Sequence, residues 1–192
     1  MMTRRDALSR VALILGGTII GADVFLSGCT NADKKVSGVL DFSPDNIAFL
    51  DEVGETILPA TASSPGAKEA KIGEFMKAIV TDCYTEADQK IFMEGFNKLN
   101  DASKKKFNDP FMKLTAEQKT QLLTELDKES KEYNKTKQKS DPNHYFAMYK
   151  QLTVWGYFSS KEGATKALRY VAVPGKYEGC IDYKKGDKAW AT

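Results

Sequence analysis

The sequence predicts a mostly α protein, a compact helical bundle ending in an irregular, aromatic-rich C-terminal arm. Between Ser43 and Leu168 apolar residues recur at three- and four-residue spacing, the period of a helix with one buried face. Cap residues stand where those runs begin. No long stretch alternates apolar with polar residues as a strand would, and after Arg169 the helical period stops.

Ser43-Pro44 places a cap residue before a proline at the first helical position. Ile47, Leu50, Val53 and Ile57 then share one face, Phe49 and Leu58 widen it, and Pro59 ends the helix. Thr61 to Gly66 is a loop by composition. A second helix runs from Ala67 or Ile72 to Cys83, with Phe75, Met76, Ile79, Val80 and Cys83 on its apolar side. Thr85 with Asp88 opens a third helix, whose stripe is Ile91, Phe92, Phe96 and Leu99. Lys104-Lys105-Lys106 reads as a solvated surface turn, with a lipid-headgroup contact as the functional alternative. Thr115-Ala116-Glu117-Gln118 is a capping box for a fourth helix, with Leu122, Leu123 and Leu126 facing in. From Lys128 to Lys139 the chain is almost wholly polar, so that helix is expected to fray or protrude. Asp141-Pro142 restarts it. Tyr145, Phe146, Met148, Tyr149, Leu152, Trp155 and Phe158 wrap more than one side of the next helix, which is expected to be central. Ser160 to Leu168 reads as a short helix, and Arg169 to Gly175 as extended chain. The tail to Thr192 is rich in Gly, Lys and aromatic residues.

Ahead of this domain (residues 42–192) stand a signal segment, 1–28, and a tether, 29–41. The apolar run from Val11 to Leu26 is shorter than the roughly 20 residues a membrane span needs, and it carries Asp23. Charged, apolar and small-residue zones in that order fit a general secretory signal. The adjacent Arg4 and Arg5 resemble a twin-arginine export signal, although Ala7 stands where an aromatic is usual. Leu26-Ser27-Gly28-Cys29 resembles a bacterial lipobox, in which the Cys29 thiol would accept the diacylglycerol. Multiple acyl chains on Cys29 would give lasting anchorage.

Removing residues 1–28 leaves 164 residues, enough for one domain with a real core. It also leaves 25 basic against 24 acidic side chains, a balance that argues against nucleic acid as a partner. Beyond Cys29 only Cys83 and Cys180 remain; in an oxidising envelope they either pair or stay as two buried thiols. No Gly-x-Gly-x-x-Gly follows a strand and there is no Cys-x-x-Cys-His, which argues against a self-held dinucleotide or covalent haem. His144 is the only histidine and sits just past Pro142, in a surface or capping position. With two other cysteines at scattered positions it makes a thin zinc set. The carboxylate pairs Asp51/Glu52 and Asp127/Glu129 lie on polar helix faces. No constellation suited to catalysis alone, and no cofactor site, is visible in this chain.

Two stretches spend composition oddly: Ile57-Leu58-Pro59 through Ser64-Pro65-Gly66-Ala67, and Val154 through Cys180. Tyr170, Tyr177, Tyr183 and Trp190 sit on an arm that cannot bury them all against itself, which suggests a partner surface. Ile57-Leu58-Pro59, Ser64-Pro65-Gly66-Ala67, Trp155-Gly156-Tyr157, Gly163-Ala164 through Arg169-Tyr170 and Val173-Pro174-Gly175-Lys176-Tyr177-Glu178-Gly179-Cys180 resemble the gluconate 2-dehydrogenase subunit 3 family. The resemblance runs over roughly residues 42 to 191 and implies a non-catalytic small subunit. Its partner would be an FAD-holding subunit similar to glucose-methanol-choline oxidoreductases, acting on sugars or sugar acids. A cytochrome c or another acceptor would take the electrons. The small subunit of such complexes often bears the twin-arginine signal for both chains, which implies passage through the twin-arginine translocase. The expected location is a bacterial membrane, lipid-anchored and periplasm-facing. Trp155, Tyr157, Arg169, Tyr170, Tyr177 and Trp190 are the expected partner contacts. The alternative is an independent lipoprotein that binds a carbohydrate or lipid; a free-standing enzyme lacks a nucleophile and a cofactor motif.

Overall fold

A computed structural model describes residues 40–173, 175–176 and 178–191. Arg4, Arg5, Cys29 and most of the expected tether lie outside the described residues, as do Pro174, Tyr177 and Thr192. Five α-helices follow one another: α1 (Pro44–Ile57), α2 (Ile72–Cys83), α3 (Glu86–Phe107), α4 (Ala116–Thr136) and α5 (Tyr145–Ser159). A 3-10 turn, Phe111–Lys113, joins α3 to α4, and a π-helical turn, Gly163–Ala167, follows α5. No strand is present among the described residues; the one extended pairing is an isolated parallel bridge between Arg169 and Trp190.

The helix starts lie where the cap residues put them. The Ser43 hydroxyl accepts from the Asn46 amide at 3.4 Å and the Thr85 hydroxyl from the Asp88 amide at 3.2 Å. Both halves of the Thr115–Gln118 capping box form, at 3.3 and 3.0 Å. Each bond satisfies an amide that a helix leaves open at its first turn.

Three expectations are corrected. Lys104, Lys105 and Lys106 are not a turn but the last turn of α3, where cations face the negative end of the helix dipole; Asn108, in left-handed conformation, closes the helix. The polar stretch after Lys128 does not fray before Thr136, although from 131 to 136 only Tyr133 is even partly buried. Ser130 is buried there, Lys131 pairs with Asp127 at 2.7 Å, and Tyr133 donates to the Pro142 carbonyl at 2.8 Å. α5 starts at Tyr145 rather than at Pro142, because His144 is its N-cap: Nδ1 accepts from the Phe146 amide at 3.2 Å. The capping role expected of the single histidine is the one it has.

α5 is central and packs against each of the other four helices and the π turn. Its buried face meets a cluster of rings: Tyr149 lies edge-on to Phe92 at 4.6 Å, and Phe49 meets Phe96 and Phe111 at 5.4 and 5.3 Å. The Tyr149 hydroxyl donates to the Phe92 carbonyl at 2.9 Å, so this deeply buried phenol is satisfied. Cys83, at the end of α2, and Cys180, on the arm, are both exposed and free. Neither the bridge nor the buried pair expected from the sequence is seen.

The acidic side chains of α1 tie neighbouring elements together. Asp51 accepts from the Gly73 amide at 2.8 Å, capping the open start of α2. Glu52 pairs with Lys119 at 2.7 Å and Lys68 at 3.2 Å. The hydrogen bond from Lys119, reinforced by Lys68, holds the Glu52 carboxyl below its ordinary value of 4.5. Stability from this cluster is fully present above that ordinary value and drains as pH falls through the lower folded value. Asp51 runs the other way. Burial raises its pKa, so its ionisation costs stability, and the cost is relieved at acid pH. Glu52→Gln is therefore expected to lose about 1–2 kcal/mol at neutral pH, discounted for remaining solvent contact, and to close much of that gap near pH 3. Urea midpoints of both proteins across that range check it.

Candidate interaction surface

Trp155 stands on the outer side of α5, 52% exposed, with its ring edge-on to Phe75 of α2 at 5.4 Å. Val154 and Phe158 are exposed beside it, so the last turns of α5 present apolar surface to solvent. Gly156 makes this approach possible: a Cβ there would stand 2.5 Å from a ring carbon of Phe75. Tyr157, expected at the interface, points inward instead and is only 3% exposed. Helix geometry is the reason. Residues two apart are turned by about 200°, so Trp155 and Tyr157 cannot share a face.

Tyr157 has a structural task. Its hydroxyl donates to the Pro65 carbonyl at 2.6 Å. That bond pins the loop between α1 and α2, which the Glu55 carboxylate also gathers by accepting from the Ala60 and Lys68 amides at 2.9 Å each. A Cβ on Gly66 would overlap that carboxylate, so a larger residue there would push the Glu55 side chain off its two amides. The Leu-Pro and Pro-Gly blocks are thus a loop folded onto Glu55 and Tyr157. Tyr157→Phe is expected to cost about 1 kcal/mol, since it leaves the Pro65 carbonyl short of a donor. Chemical denaturation against the parent protein measures it.

The arm begins where the π turn ends. The Arg169 amide donates to the Ala189 carbonyl at 2.7 Å, and the Ala191 amide to the Arg169 carbonyl at 2.9 Å. The Arg169 guanidinium lies over the Trp190 indole, 4.7 Å from its centre, and reaches Asp187 at 3.8 Å. Arg169 and Trp190, expected as partner contacts, are therefore a clasp that closes residues 170–189 into a loop, with the Trp190 ring still half exposed. Tyr170 is exposed beside the clasp. Gly175 and Gly186 take positive φ of 69° and 97°, turns that other residues rarely make.

Apolar side chains of the loop face solvent: Val171, Ile181, Val173 at 82% and Tyr183 at 76% exposure. Val171, Val173, Ile181 and Trp190 line an open cavity of about 640 Å³, with Gly175, Lys176 and Glu178 at its edge. Of the expected contacts, Trp155, Tyr170 and Trp190 are at the surface, Tyr157 is in the core, and Tyr177 lies outside the described residues. Val154, Phe158, Val171, Val173 and Ile181 were not among the expected contacts. The excess of apolar residues around α5, more than one core can cover, was the signal for the first two.

Among the described residues no group of three or more His, Cys, Asp or Glu side chains could hold a metal, and no helix is long and apolar enough to cross a membrane. Asp127 is engaged by Lys131 and Lys150, at 2.7 and 2.6 Å, rather than paired with Glu129.

The model of the family described as gluconate 2-dehydrogenase subunit 3 matches residues 44–175, from the start of α1 into the arm. No curated protein and no solved structure matches the chain.

Proposed function

The chain belongs to the gluconate 2-dehydrogenase subunit 3 family, and from that premise we propose that it is the non-catalytic small subunit of an FAD-dependent sugar or sugar-acid dehydrogenase. The catalytic partner is a glucose-methanol-choline type subunit, which holds the FAD and passes electrons to a cytochrome c or another acceptor. This chain stabilises that partner, escorts it through the twin-arginine translocase with the signal at Arg4 and Arg5, and tethers it to the membrane through lipid on Cys29, facing the periplasm.

The observation that carries this reading is the apolar surface left over once the core is filled. The inner faces of all five helices are buried in one cluster, yet Trp155, Phe158, Val173, Tyr183 and Trp190 remain in water. Exposed apolar side chains in this number support a surface that a second protein covers. Export supplies a physical motive. The twin-arginine route moves folded cargo, and a flavin-loaded protein must fold around its cofactor before it leaves the cytoplasm.

Expression of the flavoprotein with and without this chain tests the proposal. With the chain present, a yellow protein co-purifies with it and reaches the periplasmic side. Without it, the flavoprotein stays in the cytoplasm or is degraded. Normal export and activity without the chain would overturn the escort role. A monomer that purifies with bound sugar or lipid would favour the independent lipoprotein instead.

A further inference from the structure

We propose that the described residues of the clasped loop, 169–173, 175–176 and 178–190, form a basic docking element that receives a protruding apolar side chain from an acidic surface of the flavoprotein subunit. The proposal rests on the small-subunit reading above and places its contact.

Charge is divided unevenly along the described chain. Residues 40–168 carry 18 basic and 20 acidic side chains, whereas residues 169–191 carry five basic and three acidic. The helical body is net negative and the arm net positive. Within the arm, Lys176 is neutralised by Glu178 at 2.6 Å and Arg169 is engaged by Asp187 and the Trp190 ring. The Lys184 amide donates to Asp187 at 2.9 Å, but among the described residues no carboxylate lies within 4 Å of the Lys184 or Lys185 ammonium, and no basic side chain within 4 Å of Asp182. Lys184 and Lys185 immediately follow the exposed Tyr183. The uncompensated positive charge thus stands on the same loop as the most exposed apolar side chains.

The cavity selects the kind of partner. Val171, Val173, Ile181 and Trp190 line an open hollow of about 640 Å³, the size of a ligand-sized cleft, which leaves room for an apolar side chain together with the backbone that carries it. A lipid surface is met by convex apolar tips; a hollow is met by a knob on a folded protein. Aromatic or aliphatic anchors seated in such pockets, ringed by charge of opposite sign, are a common arrangement at protein interfaces. The clasp fixes the ends of a loop that has little core of its own, so less ordering remains to be done on binding.

The full-length chain, co-expressed with its flavoprotein, provides the test. The double variant Lys184→Glu/Lys185→Glu is expected to weaken the complex about tenfold or more at low ionic strength. Most of that difference should vanish near 0.5 M salt, where exposed charges are screened. Val173→Asp should weaken it at both salt levels. Both changes fall on exposed positions, and an unchanged thermal midpoint shows that the fold is kept. Wild-type affinity in both variants overturns the proposal while leaving the small-subunit reading intact. Failure of the wild-type chain to recover any flavoprotein overturns both. Binding of the wild-type chain to phosphatidylglycerol vesicles that is lost in Lys184→Glu/Lys185→Glu, with flavoprotein affinity unchanged, assigns the loop to lipid instead. Loss of self-association in the same variant, again with flavoprotein affinity unchanged, assigns it to the acidic body of a second copy.

Discussion

Phe92→Ala is expected to remove about 3–5 kcal/mol of folding stability, the largest loss from any single truncation in this core. Phe92 has no solvent exposure. Its ring meets three others: Tyr149 at 4.6 Å, Phe96 at 6.2 Å and Phe42 at 6.2 Å. Those rings come from α5, from α3 itself and from the chain entering α1, so the void left by alanine opens where three parts of the fold converge. Large neighbouring rings cannot collapse into it without leaving their own contacts, which puts the cost at the upper end of the range. A domain of this size stores only about 5–15 kcal/mol in total. The thermal midpoint should fall by roughly 6–20 °C. Phe92→Leu, which refills most of the volume, should recover the greater part of it. A loss below about 1.5 kcal/mol for alanine would mean that the ring cluster is not the centre of the core.

The helical body was legible in the sequence because its signals are local. Ser43, Thr85 and Thr115 cap α1, α3 and α4, and the stripes through Leu50, Met76, Phe92 and Leu122 are buried. The errors came where a distant contact overrides composition. The stretch after Lys128 looks unfit for a packed helix, yet Tyr133 is held by the Pro142 carbonyl and the His144 ring, neither of which is near it in a helical pattern. Tyr157 illustrates the same limit at the candidate surface. An aromatic beside Trp155 reads as part of one patch, but helical rotation and the Pro65 carbonyl, 92 residues away, turn it inward. In the arm no period exists to be read. That Arg169 and Trp190 hold the loop closed depends on a backbone pairing across 21 residues that no local signal announces. The family match covers the body and stops at residue 175, so the rest of the loop rests on its own geometry.

Gly163→Ala should show how the body controls the arm. Gly163 opens the π turn, and its α-carbon lies against the end of α5. The Tyr157 carbonyl accepts from the Ser160 amide at 3.1 Å and the Ser160 hydroxyl at 2.7 Å, while that hydroxyl accepts from the Gly163 amide at 3.0 Å. A methyl on Gly163 would overlap the Tyr157 carbonyl oxygen. This is backbone, tied at both ends, and no side-chain rotation relieves it. The turn must move outward, and Leu168, whose amide donates to the Gly163 carbonyl at 2.9 Å, moves with it. Arg169 follows directly, so the clasp to Trp190 loses its register. The expected loss of stability is about 2–3 kcal/mol, at the top of the range for overpacking. The loss of flavoprotein affinity should exceed that of Phe92→Ala measured where both variants are folded, because Phe92 lies remote from the loop in the core whereas Gly163 sets its position. Amide exchange separates the two. In Gly163→Ala the Arg169 and Ala191 amides should exchange faster than in the parent, with those of α3 little changed. Protection of both amides at parental levels, with affinity retained, would show that the arm holds its place without the turn that leads into it.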